Sequence, residues 1–148
     1  MIRSTVLILA LCAAVALSGC ATTSAPEAPS NGGTGDDCAV IAAVAKEHYG
    51  FNTTDRLPPP LKFDPGFDPQ CDWSHFGLVF EPYDEQAGGD PRERQKWVSF
   101  GRPIYDGRGA SIRSGIMHGP LAGMGVRCRV ISGFAGWTVG ECEATWVS

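Results

Sequence analysis

Five arginines, Arg102, Arg108, Arg113, Arg127 and Arg129, fall in the last third of the chain. A guanidinium stays charged and presents a planar fork of donors, so arginines that converge can grip a carboxylate or phosphate. Arg127 and Arg129 are two apart, which puts them on one face of a strand. Glu141 and Glu143 share that spacing. Two readings stay open: a solvated charge ladder, or a basic groove in which Arg113, Arg127 and Arg129 contact an anionic ligand. Trp97, Trp137 and Trp146 lie in the same region. They offer rings for stacking on a sugar, although packing beneath a helix is the commoner use of such residues.

Other candidates are weaker. His48, His75 and His118 lie on different segments, and none has the i, i+4 spacing of a zinc site. Asp72, Ser74 and His75 adjoin, but sequence neighbours point in different directions on a strand, so a hydrolase centred on Asp72 and His75 is a minor reading. The glycine-rich "HGPLAGMG" lacks both the spacing and the following helix of a phosphate-binding loop, and reads as a turn. Gly119, Gly123 and Gly125 are then expected to adopt backbone conformations that only glycine takes cheaply. No catalytic residue, metal or cofactor is expected, and no nucleic-acid partner.

The segments that must position these residues follow from pattern. "GDDCAVIAAVAKEHYG" reads as a helix with Asp36 or Asp37 at its start, Gly50 at its end, and Cys38, Ile41, Ala42, Ala45 and Tyr49 on one face. Five prolines between Pro58 and Pro69 argue against a helix or a central strand there. A short strand is expected near 77–81. Four strands then follow, near 97–105, 110–118, 124–132 and 136–147, joined by "DGRG", "GPLAG" and "SGFAG". Pro103 marks an edge or bulge in the first. A turn centred at Leu121 would set Arg113 opposite Arg129. A turn centred at Ala135 would set Arg129 and Arg127 opposite Glu141 and Glu143. The fold class is α+β: one N-terminal helix on a curved antiparallel meander of four to five strands, cystatin-like or nuclear-transport-factor-like by analogy only.

Charge is uneven along this domain. Residues 36–90 carry 11 acidic and 3 basic side chains, and residues 91–148 carry 8 basic and 4 acidic. The halves should attract each other within one folded unit, or else the basic half faces an anionic partner.

The N-terminus has a different character. Arg3 precedes an apolar run from Val6 to Leu17, too short to span a bilayer. The run ends in "LSGC", which resembles the lipobox of bacterial lipoproteins. The resemblance implies that residues 1–19 are a signal peptide and that Cys20 is the lipidated first residue of the mature chain. Ala21 in the next position implies the outer membrane. Residues 20–35 then form the lipidated cysteine and a flexible tether, and residues 36–148 a single periplasmic domain.

Cys38, Cys71, Cys128 and Cys142 remain. An even number in an exported domain implies two disulfides. With the last turn centred at Ala135, Cys128 faces Cys142 across a hairpin, which leaves Cys38 with Cys71.

"VSFGRPIYDGRGASI", "GPLAGMGVRCRV" and "GWTVGECEATWVS" resemble a set of small exported bacterial proteins that end in a W-x-V strand and "WVS" or "WIS". The resemblance supports the sheet and implies no catalytic residue. The expectation is a non-enzymatic envelope lipoprotein, a binding or structural module facing the periplasm. It is held to the membrane by lipid and partnered by an anionic envelope component or an envelope protein. The alternatives are a protein inhibitor using the proline-rich loop 57–69, and the hydrolase.

Overall fold

The computed structural model describes residues 35–86, 89–92 and 95–148. The signal peptide, Cys20 and all of the tether but Gly35 therefore lie outside the described residues.

Helix α1 (Gly35–Ala43) opens with Asp36 and Asp37 in its first turn, where negative charge suits the helix dipole. It continues as a π-helical turn over Val44–His48, in which the Tyr49 N–H reaches back five residues to the Val44 carbonyl. Gly50 ends it at φ +72°. The expected face of Cys38, Ile41, Ala42, Ala45 and Tyr49 is buried, but so are Val40 and Val44. The helix is tied on a second side to the stretch that follows the proline-rich segment, because Cys38 is bonded to Cys71 and Lys46 donates to the Phe76 carbonyl at 3.2 Å.

The strands are β1 (Leu61–Phe63), β2 (Lys96–Phe100), β3 (Ile104–Tyr105), β4 (Gly109–Gly119), β5 (Ala122–Gly133) and β6 (Gly136–Val147). They form one mixed sheet in the order β1-β2-β4-β5-β6, with β3 also on β4. The fold is α+β, with more strands than the sequence reading. Strand 97–105 splits into β2 and β3, because Pro103 has no N–H to give. The extra strand, β1, lies inside the proline-rich segment and runs parallel to β2. Proline cannot donate but can accept: the Val98 N–H binds the Pro60 carbonyl at 2.9 Å. No strand occupies 77–81. The chain forms a 3₁₀ turn over Trp73–Phe76 and then lies along β1, where Leu61 bonds with Glu81 and Tyr83.

Alternation gives the sheet two faces. Val98, Phe100, Ala110, Ile112, Ile116, Val126, Cys128 and Val130 point at the helix and are buried. Tyr49 joins helix to sheet through its hydroxyl, 2.9 Å from Ser114 Oγ, and Ser114 in turn donates to the Ser99 carbonyl. Cys128 faces Cys142 in the β5–β6 register and is bonded to it. Both disulfides follow the pairing that the hairpin register gives. Among the described residues no helix is long and apolar enough to cross a membrane.

Candidate functional site

The residues that could do chemistry gather on the other face of the sheet, away from the helix. Strand pairing arranges them in rows. Trp97, Met117 and Gly123 form one row. Ser99, Gly115, Gly125 and Trp146 form the next. Arg113, Arg127 and Glu143 form a third, and Ser111 and Arg129 a fourth. The "DGRG" and "GPLAG" turns build this order, but the first hairpin is displaced from expectation. The turn is centred between Pro120 and Leu121, with Gly119 paired to Ala122, and a register shift between Met117 and Gly119 adds to this, so that Arg113 stands opposite Arg127, not Arg129.

Trp146 lies on a bed of glycines. A Cβ on Gly125 would fall 1.9 Å from the indole Nε1, and Cβ atoms on Gly115 and Gly123 would fall 3.1 Å from its six-membered ring. Of the three glycines of the turn region, only Gly119 has a positive φ, +156°. Gly125 is instead required by the close approach of this ring, and Gly123 first by Met117, whose Sδ lies 2.0 Å from where a Cβ would fall. A bulge puts the ring there. Glu143 pairs with Arg127 and Ala144 with Val126, yet Gly125 pairs with Trp146, so Thr145 is an extra residue on β6. Without it, simple alternation would turn Trp146 toward the helix. Trp97 is also on the outer face, with Lys62 Nζ 3.7 Å from its ring centroid, a cation–π contact. Only Trp137 takes the expected place on the helix side, edge-on to Tyr105 at 5.9 Å.

Between the two tryptophans runs a cleft of about 660 Å³, with Lys62, Asp64, Glu85, Arg113, Arg127 and Thr145 also on its walls. A second hollow of about 430 Å³, lined by Arg102, Ile104 and Ser111, shares Arg113 and Arg127 with it. These two arginines thus form the ridge common to both. Arg113 Nη2 is 3.4 Å from Asp64 Oδ2, a long and solvent-exposed contact. Arg127 faces Glu143 in register but has no ion pair among the described residues. Two facing like charges repel.

Arg129 does not join them. Its Nη2 lies 2.9 Å from Asp106 Oδ1 in the turn before β4, and this hydrogen bond is the largest of the effects that hold the Asp106 carboxyl below its usual range. The expected Arg129–Glu141 opposition is lost because the β5–β6 register shifts between Cys128 and Val130. Arg102 donates to the Gly66 carbonyl at 3.3 Å and lies over the Phe67 ring. Sequence reasoning found Arg113 and Arg127 but missed Lys62 and Asp64. The signal for the tryptophan bed was present: Gly115, Gly123 and Gly125 have one parity and so share one face.

The remaining candidates do not gather into a site among the described residues. Asp72 caps the 3₁₀ turn by accepting from Ser74 N at 3.1 Å and Ser74 Oγ at 2.6 Å, and the Ser74 bond leads in holding its carboxyl below the usual range. His75 is exposed on that turn. His48 lies within 4.8 Å of the sulfurs of Cys128 and Cys142, but those sulfurs are bonded to each other and offer no thiolate. In the loop 57–69, Leu61, Phe67 and Pro69 are buried, and Phe63 stacks with Trp73.

No family model matches the chain, and comparison with curated proteins and with solved structures finds no match.

Proposed function

We propose that this chain is an envelope lipoprotein, anchored through Cys20 on the periplasmic side of the outer membrane, and that its domain is a non-enzymatic module that binds an anionic envelope component. The observation that carries the reading is the Arg113–Arg127 pair. It sits on the ridge shared by two clefts, and Arg127 has no carboxylate partner among the described residues. The cleft volume lies in the range of small-ligand sites. Use of loop 57–69 as an inhibitory wedge is disfavoured, because Leu61, Phe67 and Pro69 are spent on the core and residues 61–63 on pairing with β2, which leaves Leu57 as its exposed large apolar side chain. One helix lying on one sheet supports the cystatin-like or nuclear-transport-factor-like analogy of architecture, which brings no functional residue with it.

Binding is tested by titrating the mature chain with tripolyphosphate and following tryptophan fluorescence, since Trp97 and Trp146 line the cleft. A saturable change that the R113A/R127A double variant loses supports the reading. An unchanged response in that variant refutes it. Anchoring is tested separately: the chain should incorporate labelled palmitate, and Cys20→Ser should abolish incorporation.

A further inference from the structure

The outer face carries more than an anion grip, and its other groups narrow the ligand. Trp146 lies flat on Gly125 with its opposite ring face outward, and remains 40% exposed. A flat, rigid, half-exposed indole has an electronegative face that attracts polarised C–H groups. The Arg113–Arg127 row is two residues further along the strands, about 7 Å away. Arginine side chains are long enough to cover that offset. The cleft walls also carry Asp64, Glu85, Ser99 and Thr145, which are acceptors or hydroxyls. A bare inorganic anion gives no use to carboxylates at the rim of its own site. A ligand with many hydroxyl groups does.

We infer that the cleft takes an acidic glycan: a pyranose ring stacks on Trp146, its carboxylate is held by Arg127 and Arg113, and its hydroxyls donate to Asp64 and Glu85. The assignment rests on the anion-binding reading above and specifies its ligand class. Asp64 changes partner in this scheme. It now lies against Arg113 at 3.4 Å and over Gly101, where a Cβ would meet its Oδ2 at 2.8 Å. When a glycan carboxylate takes Arg113, Asp64 is released to accept from a hydroxyl. The absence of side chains at positions 115 and 125 lets the ring lie close on the strands.

The test uses the mature, folded chain and four probes: an α-linked tetragalacturonate, a β-linked tetramannuronate, neutral maltotetraose and tripolyphosphate, each titrated by calorimetry. At least one uronate should bind, with maltotetraose at least tenfold weaker. Trp146→Ala should weaken that uronate about tenfold or more, the scale of losing one stacked ring, and leave tripolyphosphate within about twofold. Arg127→Ala should weaken both. Circular dichroism must show Trp146→Ala folded, and Trp146→Phe, which keeps a ring, should recover most of the affinity. Binding of tripolyphosphate alone would overturn the glycan assignment while leaving the anion reading intact. Equal loss of both ligands in Trp146→Ala would also overturn it, since the ring would then act on the arginines and not on a sugar. Binding of none of the four would overturn both.

Discussion

Gly125→Ala tests the glycine bed directly. The new methyl would fall 1.9 Å from Trp146 Nε1, and real Cβ atoms essentially never come within 3.0 Å of another heavy atom. The backbone of β5 is locked between β4 and β6, so the indole must lift. At 40% exposure, Trp146 has roughly 60% of its surface covered. With up to about 250 Å² for a buried aromatic, that is roughly 150 Å², or nearly 4 kcal/mol at about 25 cal/mol/Å² as an upper bound. A ring pushed outward keeps part of its cover, so about 2 kcal/mol is lost. Replacing a strand glycine with alanine returns about 0.5–1 kcal/mol through the unfolded chain. The net cost should be about 1–1.5 kcal/mol. In a Trp146→Ala background the clash is gone, and the same change should stabilise by about 0.5–1 kcal/mol. Urea unfolding followed by circular dichroism, run as a double-mutant cycle, reads this sign reversal. An equal cost in both backgrounds would refute the geometry, because Gly125 would then be needed for its own backbone and not for the ring.

Three further outcomes follow from features elsewhere. Leu121 has φ +54° after Pro120, the pattern of a type II turn that prefers glycine, and is 85% exposed. Leu121→Gly should therefore stabilise by about 0.5–1 kcal/mol in thermal unfolding, despite the added chain entropy. Removing Cys38–Cys71, whose sequence separation is 33, should cost about 4 kcal/mol, and removing Cys128–Cys142, with a separation of 14, about 3. The reverse order in urea midpoints would mean that loop entropy is not what these bonds contribute. The Tyr105 hydroxyl is pushed above 10.0, first by burial and then by its hydrogen bond to Asp37. The folded state thus keeps a proton that the unfolded chain releases, and stability present below pH 10 should fall as pH rises past it. Tyr105→Phe should flatten that decline, measured as the difference in urea midpoint between pH 9 and pH 11.

Much of the sheet was legible because it consists of local hairpins. "SGFAG" sets β5 against β6 with Gly133 paired to Gly136, and the shift between Cys128 and Val130 then brings Cys142 opposite Cys128, so the pairing counted from Ala135 is reached although the turn is centred half a residue earlier. What escaped was one residue deep. The extra Thr145 reverses the face of Trp146, and the shift beyond Met117, added to a turn centred between Pro120 and Leu121, changes the partner of Arg113. A bulge has no composition signal of its own, so counting from a turn fails beyond it. β1 escaped for another reason. Its pairing with β2 joins distant segments, and prolines that forbid donation say nothing about acceptance. The arginine pair was half legible: parity gave Arg127 its face, while Asp106, which draws Arg129 away, sits in a turn whose side-chain directions no periodicity records.

The Cys128–Cys142 bond joins inward-facing neighbours of Arg127 and Glu143, so the groups of the cleft are mounted on the back of a covalent rivet. The arrangement separates two kinds of sequence change. Residues of one parity decide whether the sheet holds together, and most residues of the other parity decide what touches it. Arg113, Arg127, Glu143 or Ser99 can be exchanged with little effect on the apolar layer beneath. The exceptions are Gly115, Gly123 and Gly125, which answer to both requirements at once. A lineage of such chains is therefore free to drift in the charges of its outer face, and so in its choice of ligand, while the glycines and the rivet stay fixed.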